Sequence, residues 1–550
     1  MSIWLTIFLM ARIGYGSPVS APIMLAGNFG EPRPNHFHGG VDVKTGGVEG
    51  KGIFSIGDGY VWHISVGING FGNAVYVRHP EGYTSVYCHL KDFSPVLRMR
   101  LRRKQYACGT SLGDFYFHPT EMPVSRGELI ALSGNTGASQ APHLHLEILD
   151  TRRGDQLDPL DFIGNIVADD LPPIAHGAMA YPKSGEGVFN GSSVKQSFGF
   201  PTHQLSRTFT AWGKVGFGLW ANDYMEATYN RYGVRRTELL VDDRCVFCSE
   251  VNRIAEDKTV EVNAWGDAEH FYRTGVWYLR AFTQNGMSLP FIRTDANAGY
   301  IDFNEERVYQ LEFIITDFKG NTSRYAFTVT GKRTDIPKRR DDCVLNVVNW
   351  NRQTAILLPD DAQLLVRQGA VSDCMKLTPS IRRNANALSD EYTFSLRPIR
   401  LFRSATIRLR VNQKVADPSK LYIVGKGVVD RYLGGNYECG WISAGIRDLH
   451  LAYSVDSDNE PPVISAVASS IWQENGVIRL RLEDAKSGVD RYEGSVDGQF
   501  VLFEEVEKST WVECRLKDTP LHRAGKPRQL RFTAIDRCGN RRTFESQIIY

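Results

Sequence analysis

Apolar residues in this chain recur at every second position more often than at every third or fourth. HLHLEILD (143–150) places Leu144, Leu146 and Ile148 on alternate positions, the period-2 pattern of a strand with one buried face. AVYVRH (74–79) and TSVYCHL (84–90) flank PEGY (80–83), which reads as a hairpin with a glycine-containing turn. LNVVNW (345–350), AILLPD (355–360) and ATIRLRVN (405–412) alternate or run β-rich in the same way. Residues 22–168 read as short strands divided by glycine-rich turns, with little helical periodicity. SVGINGFGNA (65–74) does not sit between a strand and a helix, so it reads as a tight turn rather than a phosphate loop. The pattern predicts an all-β protein.

Punctuation divides the chain. The Pro-Pro of ADDLPPIA (168–175) cannot continue a central strand and stiffens a linker, and it recurs in SDNEPPVIS (457–465). Each copy is followed by strand-like alternation, then by an acidic turn, ANDYMEATYNRYGV (221–234) or LEDAKSGVDRYEG (482–494). Each closes on D-x-x-G-N, Asp317 to Asn321 and Asp536 to Asn540. These marks predict a first domain over 22–168, two divergent copies of one β-sandwich unit over about 170–333 and 458–550, and an accessory β region over 334–457 between them. Calcium takes six to eight oxygen ligands. Neither acidic turn carries a dense carboxylate series, so side-chain-capped turns are expected there rather than cation sites.

At 550 residues the chain fits three to four domains of about 150 residues each. Its 42% apolar and 23% charged content is ordinary for a globular protein. Lys and Arg number 64 against 62 Asp and Glu, a net charge of +2, which argues neither for a nucleic-acid binder nor for a binder of acidic substrates. IWLTIFLMA (3–11), followed by small residues, is too short to span a bilayer. It fits the apolar core of an export signal over 1–16, although no Lys or Arg precedes it; a buried first strand is the alternative. No other stretch is apolar enough to cross a membrane as a helix. Nine cysteines are scattered, and the single C-x-x-C, Cys245 to Cys248, has no second pair near it, so it reads as two strand cysteines.

Candidate chemistry gathers on histidines. On a strand, residues two apart share a face, so His143 and His145 look out together, opposite the leucines. Upstream, HFHGGVD (36–42) separates His38 and Asp42 by three residues, and TSVYCHL ends in His89 and Leu90. His38, Asp42 and one histidine of the pair would supply two nitrogens and an oxygen, and catalytic zinc sites keep three protein ligands and an open fourth position.

H-x-x-x-D, a strand ending in Y-x-H-L, and S-G-x-T-G followed by P-H-L-H together resemble the lysostaphin-type (LytM-like) zinc endopeptidases, which cut peptidoglycan peptides. The likeness runs from about Gly27 to Ile163 and takes in IGDGYV (56–61), GFGNAVYVRH (70–79), GELIALSGNTG (127–137) and DPLDFI (158–163). It implies a lysostaphin-type β domain with Zn2+ held by His38, Asp42 and His145. It gives His89 and His143 the roles of general base and electrophilic partner of the oxyanion, without saying which does which. His36 forms its own H-x-H with His38, but the gap to Asp42 and the glycine that follows select His38. His79 reads as a strand-end residue and His118 as a surface residue.

The departure from the simple pattern is the insertion over 91–124. The resemblance further implies an exported enzyme of the periplasm or cell envelope whose substrate is a peptidoglycan peptide. Relatives of this kind that have lost their ligands act as binding or regulatory modules, whereas all five polar positions are present here; a protein substrate is a further alternative. The sandwich units resemble immunoglobulin-like domains, which could engage cell-envelope partners. The arginines of RPIRLFRSATIRLR (397–410) read as a solvated strand face, with anionic wall sugars as the second reading.

Overall fold

The computed structural model describes residues 14–20, 22–226, 228–338, 346–358, 362–506 and 508–550. The apolar run 3–11 and Cys343 lie outside them. The protein is all-β, with few helices, and no described helix is long and apolar enough to cross a membrane. The eight described cysteines are free thiols; Cys245 is exposed and Cys248 buried on one strand, Arg244–Glu250.

The site-bearing sheet uses β1 (Leu25–Gly27), β2 (Val41–Lys44), β3 (Gly59–Val66), β4 (Ala74–Arg78), β5 (Tyr83–Cys88), β6 (Gly113–Tyr116) and β7 (His143–Asp150). Their spatial order is β1-β2-β7-β5-β4-β3-β6, antiparallel throughout. A smaller sheet of Gly52–Phe54, Leu129–Ser133 and Leu90–Phe93 packs beside it. The inner faces close on a core that includes Val41, Val43, Leu144, Leu146 and Ile148. This is the period-2 pattern of the sequence turned into burial.

The insertion departs from the expected absence of helices. Pro95–Cys108 forms α1, started by Pro95 in its first turn, where a missing N–H costs nothing, and stopped by Gly109 at φ 65°. Leu97, Leu101 and Gln105, four residues apart, are its buried face.

The next sheet has ten strands, and its core is built on Phe189, Phe209, Phe217, Phe313 and Phe327. It is one hydrogen-bonded sheet rather than the two expected of a sandwich. Gln204–Asn222 is long enough to pair first with Thr322–Gly331 and then, past Gly213, with Ile301–Phe303 and Leu279–Arg280. An excursion from it carries short helices, Glu256–Glu261, Val262–Trp265 and Ala268–Thr274. Trp265, Ile254 and Phe291 pack on Phe29 and Phe37, next door to His38.

Two five-stranded sheets then share a third core, and two four-stranded sheets a fourth. In both halves of the repeat the punctuation motifs meet. Asn321 Nδ2 donates to the Asp169 carbonyl at 3.3 Å, and Asn540 Nδ2 donates to the Asp458 carbonyl at 2.9 Å. The C-terminal sheets fold back onto α1: Arg102 Nη2 donates to Glu504 at 3.2 Å, and Tyr106 meets Phe500 edge-on at 5.8 Å.

Candidate functional site

β7 lies between β2 and β5 and pairs with both, with His145 opposite Asp42 on one side and Cys88 on the other. Leu144, Leu146 and Ile148 face the core, so His143, His145 and Glu147 share the outer face. His38 lies in the loop entering β2. The two glycines after it are needed for close approach: a Cβ on Gly40 would sit 2.2 Å from the Leu146 carbonyl oxygen.

Three ligand-type atoms converge. His38 Nε2 is 3.0 Å from Asp42 Oδ1 and 3.0 Å from His145 Nδ1, which is 2.8 Å from Asp42 Oδ1. The other ring nitrogens are committed elsewhere. His38 Nδ1 donates to the Asn28 carbonyl at 2.6 Å, and His145 Nε2 donates to Glu147 Oε1 at 3.0 Å. With those protons placed, the facing nitrogens turn lone pairs toward each other and toward a carboxylate oxygen. Three acceptors this close repel unless a proton or a cation lies among them.

Tetrahedral bonds of about 2.0–2.2 Å set zinc ligands about 3.3–3.6 Å apart, so the triangle needs to open by only about half an ångström to reach the required size. Two imidazoles and a carboxylate, braced by hydrogen bonds to their far sides, form a donor set that fits zinc. Arg33 Nη2 donates to Asp42 Oδ2 at 2.7 Å, leaving Oδ1 for the cluster.

Protonation follows from burial and neighbours. Burial pushes His38 down to about 4, against the pull of Asp42. Burial alone would raise the Asp42 carboxyl, but charge on His38 and hydrogen bonds from all three histidines hold it far below the usual carboxylate range. Burial lowers His145 too, yet hydrogen bonds to Asp42 and Glu147 outweigh it and raise that imidazole to about 9.

His89 and His143 stand beside this cluster, their rings 4.9 Å apart, with His89 5.8 Å from His145. His89 follows β5 with φ 60°, an uncommon conformation for a side chain of its size, and its Nδ1 donates to the Thr136 carbonyl at 2.8 Å. Burial and the two neighbouring imidazoles lower it to about 4. His143 Nδ1 donates to the Ala141 carbonyl at 2.8 Å, and its Nε2 lies 3.4 Å from Asp42 Oδ1.

All five predicted residues therefore meet at one place, the floor of a groove also lined by Phe71, Gln140, Glu256 and Thr259. Of the competing histidines, His36 is exposed at the groove rim, His79 is buried against Ser85 at 2.8 Å, and His118 is exposed. Sequence reasoning missed Asn28, Arg33 and Glu147. Only Glu147 left a signal, as the third polar member of the H-x-H-x-E alternation.

Residues 36–106 match the model of Peptidase family M23, and residues 345–458 match that of a Zu5-like domain. An uncharacterized metalloprotease of Haemophilus influenzae is 33% identical over 118 residues, 22% of this chain and 19% of that protein. The DD-carboxypeptidase/endopeptidase Mpg of Neisseria meningitidis is 35% identical over 78 residues, 14% of this chain and 13% of its own. The chain thus spans under a fifth of the length of either relative. Among solved structures, a zinc-containing peptidase from Vibrio cholerae is 25% identical with a TM-score of 0.20, covering 29% of this chain and 41% of that one. The catalytic domain of lysostaphin from Staphylococcus simulans is 21% identical with a TM-score of 0.20, covering 26% and 92%. The domain that carries the histidine cluster is thus similar, over residues 36–106, to Peptidase family M23, and over longer stretches to metalloproteases.

Proposed function

We propose that this chain is an exported zinc endopeptidase that hydrolyses peptide stems or cross-links of peptidoglycan. The observation that carries the proposal is the convergence of His38 Nε2, Asp42 Oδ1 and His145 Nδ1 on the floor of an open groove, with two further imidazoles beside them. When bound, zinc supplies Lewis acidity and lowers the pKa of water from about 15.7 to roughly 7. The side chains do the rest. Of His89 and His143, one takes the proton from the attacking water, and the other donates a hydrogen bond to the substrate oxygen as it becomes negative. Thr136 and Ala141, through their carbonyls, fix which ring nitrogen of each faces the substrate.

The wall-peptide substrate is supported by the Neisseria relative, a DD-carboxypeptidase/endopeptidase, and export by the apolar run 3–11. The same reading takes 22–168 as the peptidase domain and 170–333, 334–457 and 458–550 as accessory β domains. Four main hydrophobic cores support that division, although the first also takes in Met225 and Tyr232 from the following stretch.

The test is incubation of the purified chain with peptidoglycan, with and without a chelator, followed by mass analysis of the fragments. New termini within the peptide stem, lost with chelator and restored by zinc, are expected. Fragments that do not change with chelator, or no cleavage at all, would overturn the proposal.

A further inference from the structure

The D-x-x-G-N turn is capped as the sequence suggested: Asp317 Oδ1 accepts the backbone N–H groups of Lys319, Gly320 and Asn321 at 2.7, 2.7 and 2.9 Å, and Oδ2 accepts from Asn321 Nδ2 at 2.7 Å. What the sequence did not suggest is its company. Asp169 comes from the segment leaving the peptidase domain, and Asp223 from the end of the long strand Gln204–Asn222. One carboxylate oxygen of each of the three residues lies within 4.8 Å of the others, and all three residues are buried.

Two of these carboxylates are unfinished. Asp169 Oδ2 and Asp223 Oδ1 are buried and have no hydrogen-bond partner, with Asp169 3% and Asp223 1% exposed. Among the described residues no lysine or arginine forms an ion pair with any of the three; the nearby Lys319 ammonium donates to the Gly164 carbonyl at 2.7 Å. A buried charge without partner or counter-charge is strongly unfavourable, and three together add mutual repulsion.

The second repeat supplies the contrast. Asp458, Asp484 and Asp536 gather at the corresponding place. Here Asp458 accepts from the backbone of Glu460 and Ser487, both at 3.1 Å, and Asp536 from Asn540 N and Nδ2 at 2.8 and 2.7 Å. Both oxygens of each of these two carboxylates have donors, and Asp484 Oδ1 accepts from the backbone of Lys486 and Gly488 at 3.1 and 2.7 Å, so that triad leaves no buried carboxylate oxygen without a donor.

We propose that Asp169, Asp223 and Asp317 hold a hard divalent cation of the calcium class, and that the second triad holds none. Three carboxylate oxygens from three chain segments are the anionic half of a six- to eight-oxygen shell, which carbonyls and water complete. The cation ties the exit of the peptidase domain to the following sheet. It also braces the loop behind the zinc ligands. Asp223 and Tyr232 exchange two backbone hydrogen bonds at 3.0 Å, the Gly233 backbone exchanges two with the Asn28 side-chain amide at 2.8 and 2.7 Å, and the Asn28 carbonyl holds His38.

The test titrates the zinc-loaded full chain with calcium chloride by calorimetry and by thermal scanning, with magnesium chloride in parallel. One calcium per chain is expected, with a rise in Tm of about 5–10 °C at a hundredfold excess over Kd. Asp223→Asn and Asp169→Asn should each abolish uptake and shift while keeping the circular dichroism spectrum; Asp484→Asn should leave both unchanged. Absence of calcium uptake by the unaltered chain would overturn the proposal, as would uptake that survives Asp223→Asn. Uptake lost in Asp484→Asn, or magnesium bound as tightly as calcium, would overturn the assignment of site or of cation.

Discussion

Glu147 does not belong to the ligand triangle, yet it decides which nitrogen of His145 is free to join it. Replacing it with alanine frees the imidazole to rotate and removes the acceptor of its proton. Glu147→Ala should therefore weaken zinc binding about 10–100-fold, measured by chelator competition, with the fold intact. His89→Ala and His143→Ala should behave oppositely, keeping full zinc content while turnover on a wall peptide falls about 10²–10⁴-fold.

The pH dependence follows from His145. Its raised pKa of about 9 means that the metal-free ring carries a proton that zinc must displace at neutral pH, while His38, at about 4, carries none. The apparent Kd for zinc should thus rise about tenfold per unit as pH falls from 8 to 6. A flat profile there would contradict the assignment. Much of this was readable from sequence, because ligand spacing and strand alternation are local properties. Asn28 and Arg33 were not, because an ordinary residue acquires its role only when a loop brings it behind a ligand.

Among elements, β7 was legible and α1 was not. On β7 the apolar positions 144, 146 and 148 are buried as the alternation predicts, and His145 and Glu147 between them are buried on the other face. In α1, Val96 and Met99 are 58% and 47% exposed, whereas Leu97, Leu101 and Gln105 are buried. The apolar positions 96, 97, 99 and 101 thus blur a helical stripe into something near alternation, and a glutamine takes one core position. Leu101→Ala should destabilise the domain by about 2–5 kcal/mol, read from denaturant unfolding. At the other edge of the site, Gly40→Ala forces a methyl group against the Leu146 carbonyl and should separate β2 from β7. The expected result is loss of zinc with secondary structure retained.

Over the whole molecule, chain order says little about which units touch. Arg102 and Glu504 are separated by 402 positions and nonetheless bond, which no periodicity could announce. Joint replacement of Arg102 and Tyr106 by alanine should release the C-terminal sheets from α1, raising the radius of gyration in small-angle scattering without lowering zinc content. A reach of 369 positions brings Lys508 Nζ to the Ser139 carbonyl at 2.6 Å, on the loop that leads into His143. Ribosomes make chains from one end, so this flank of the groove is synthesised long after the histidines it backs. Until it arrives, a newborn peptidase domain holds its imidazoles with that wall unbuttressed.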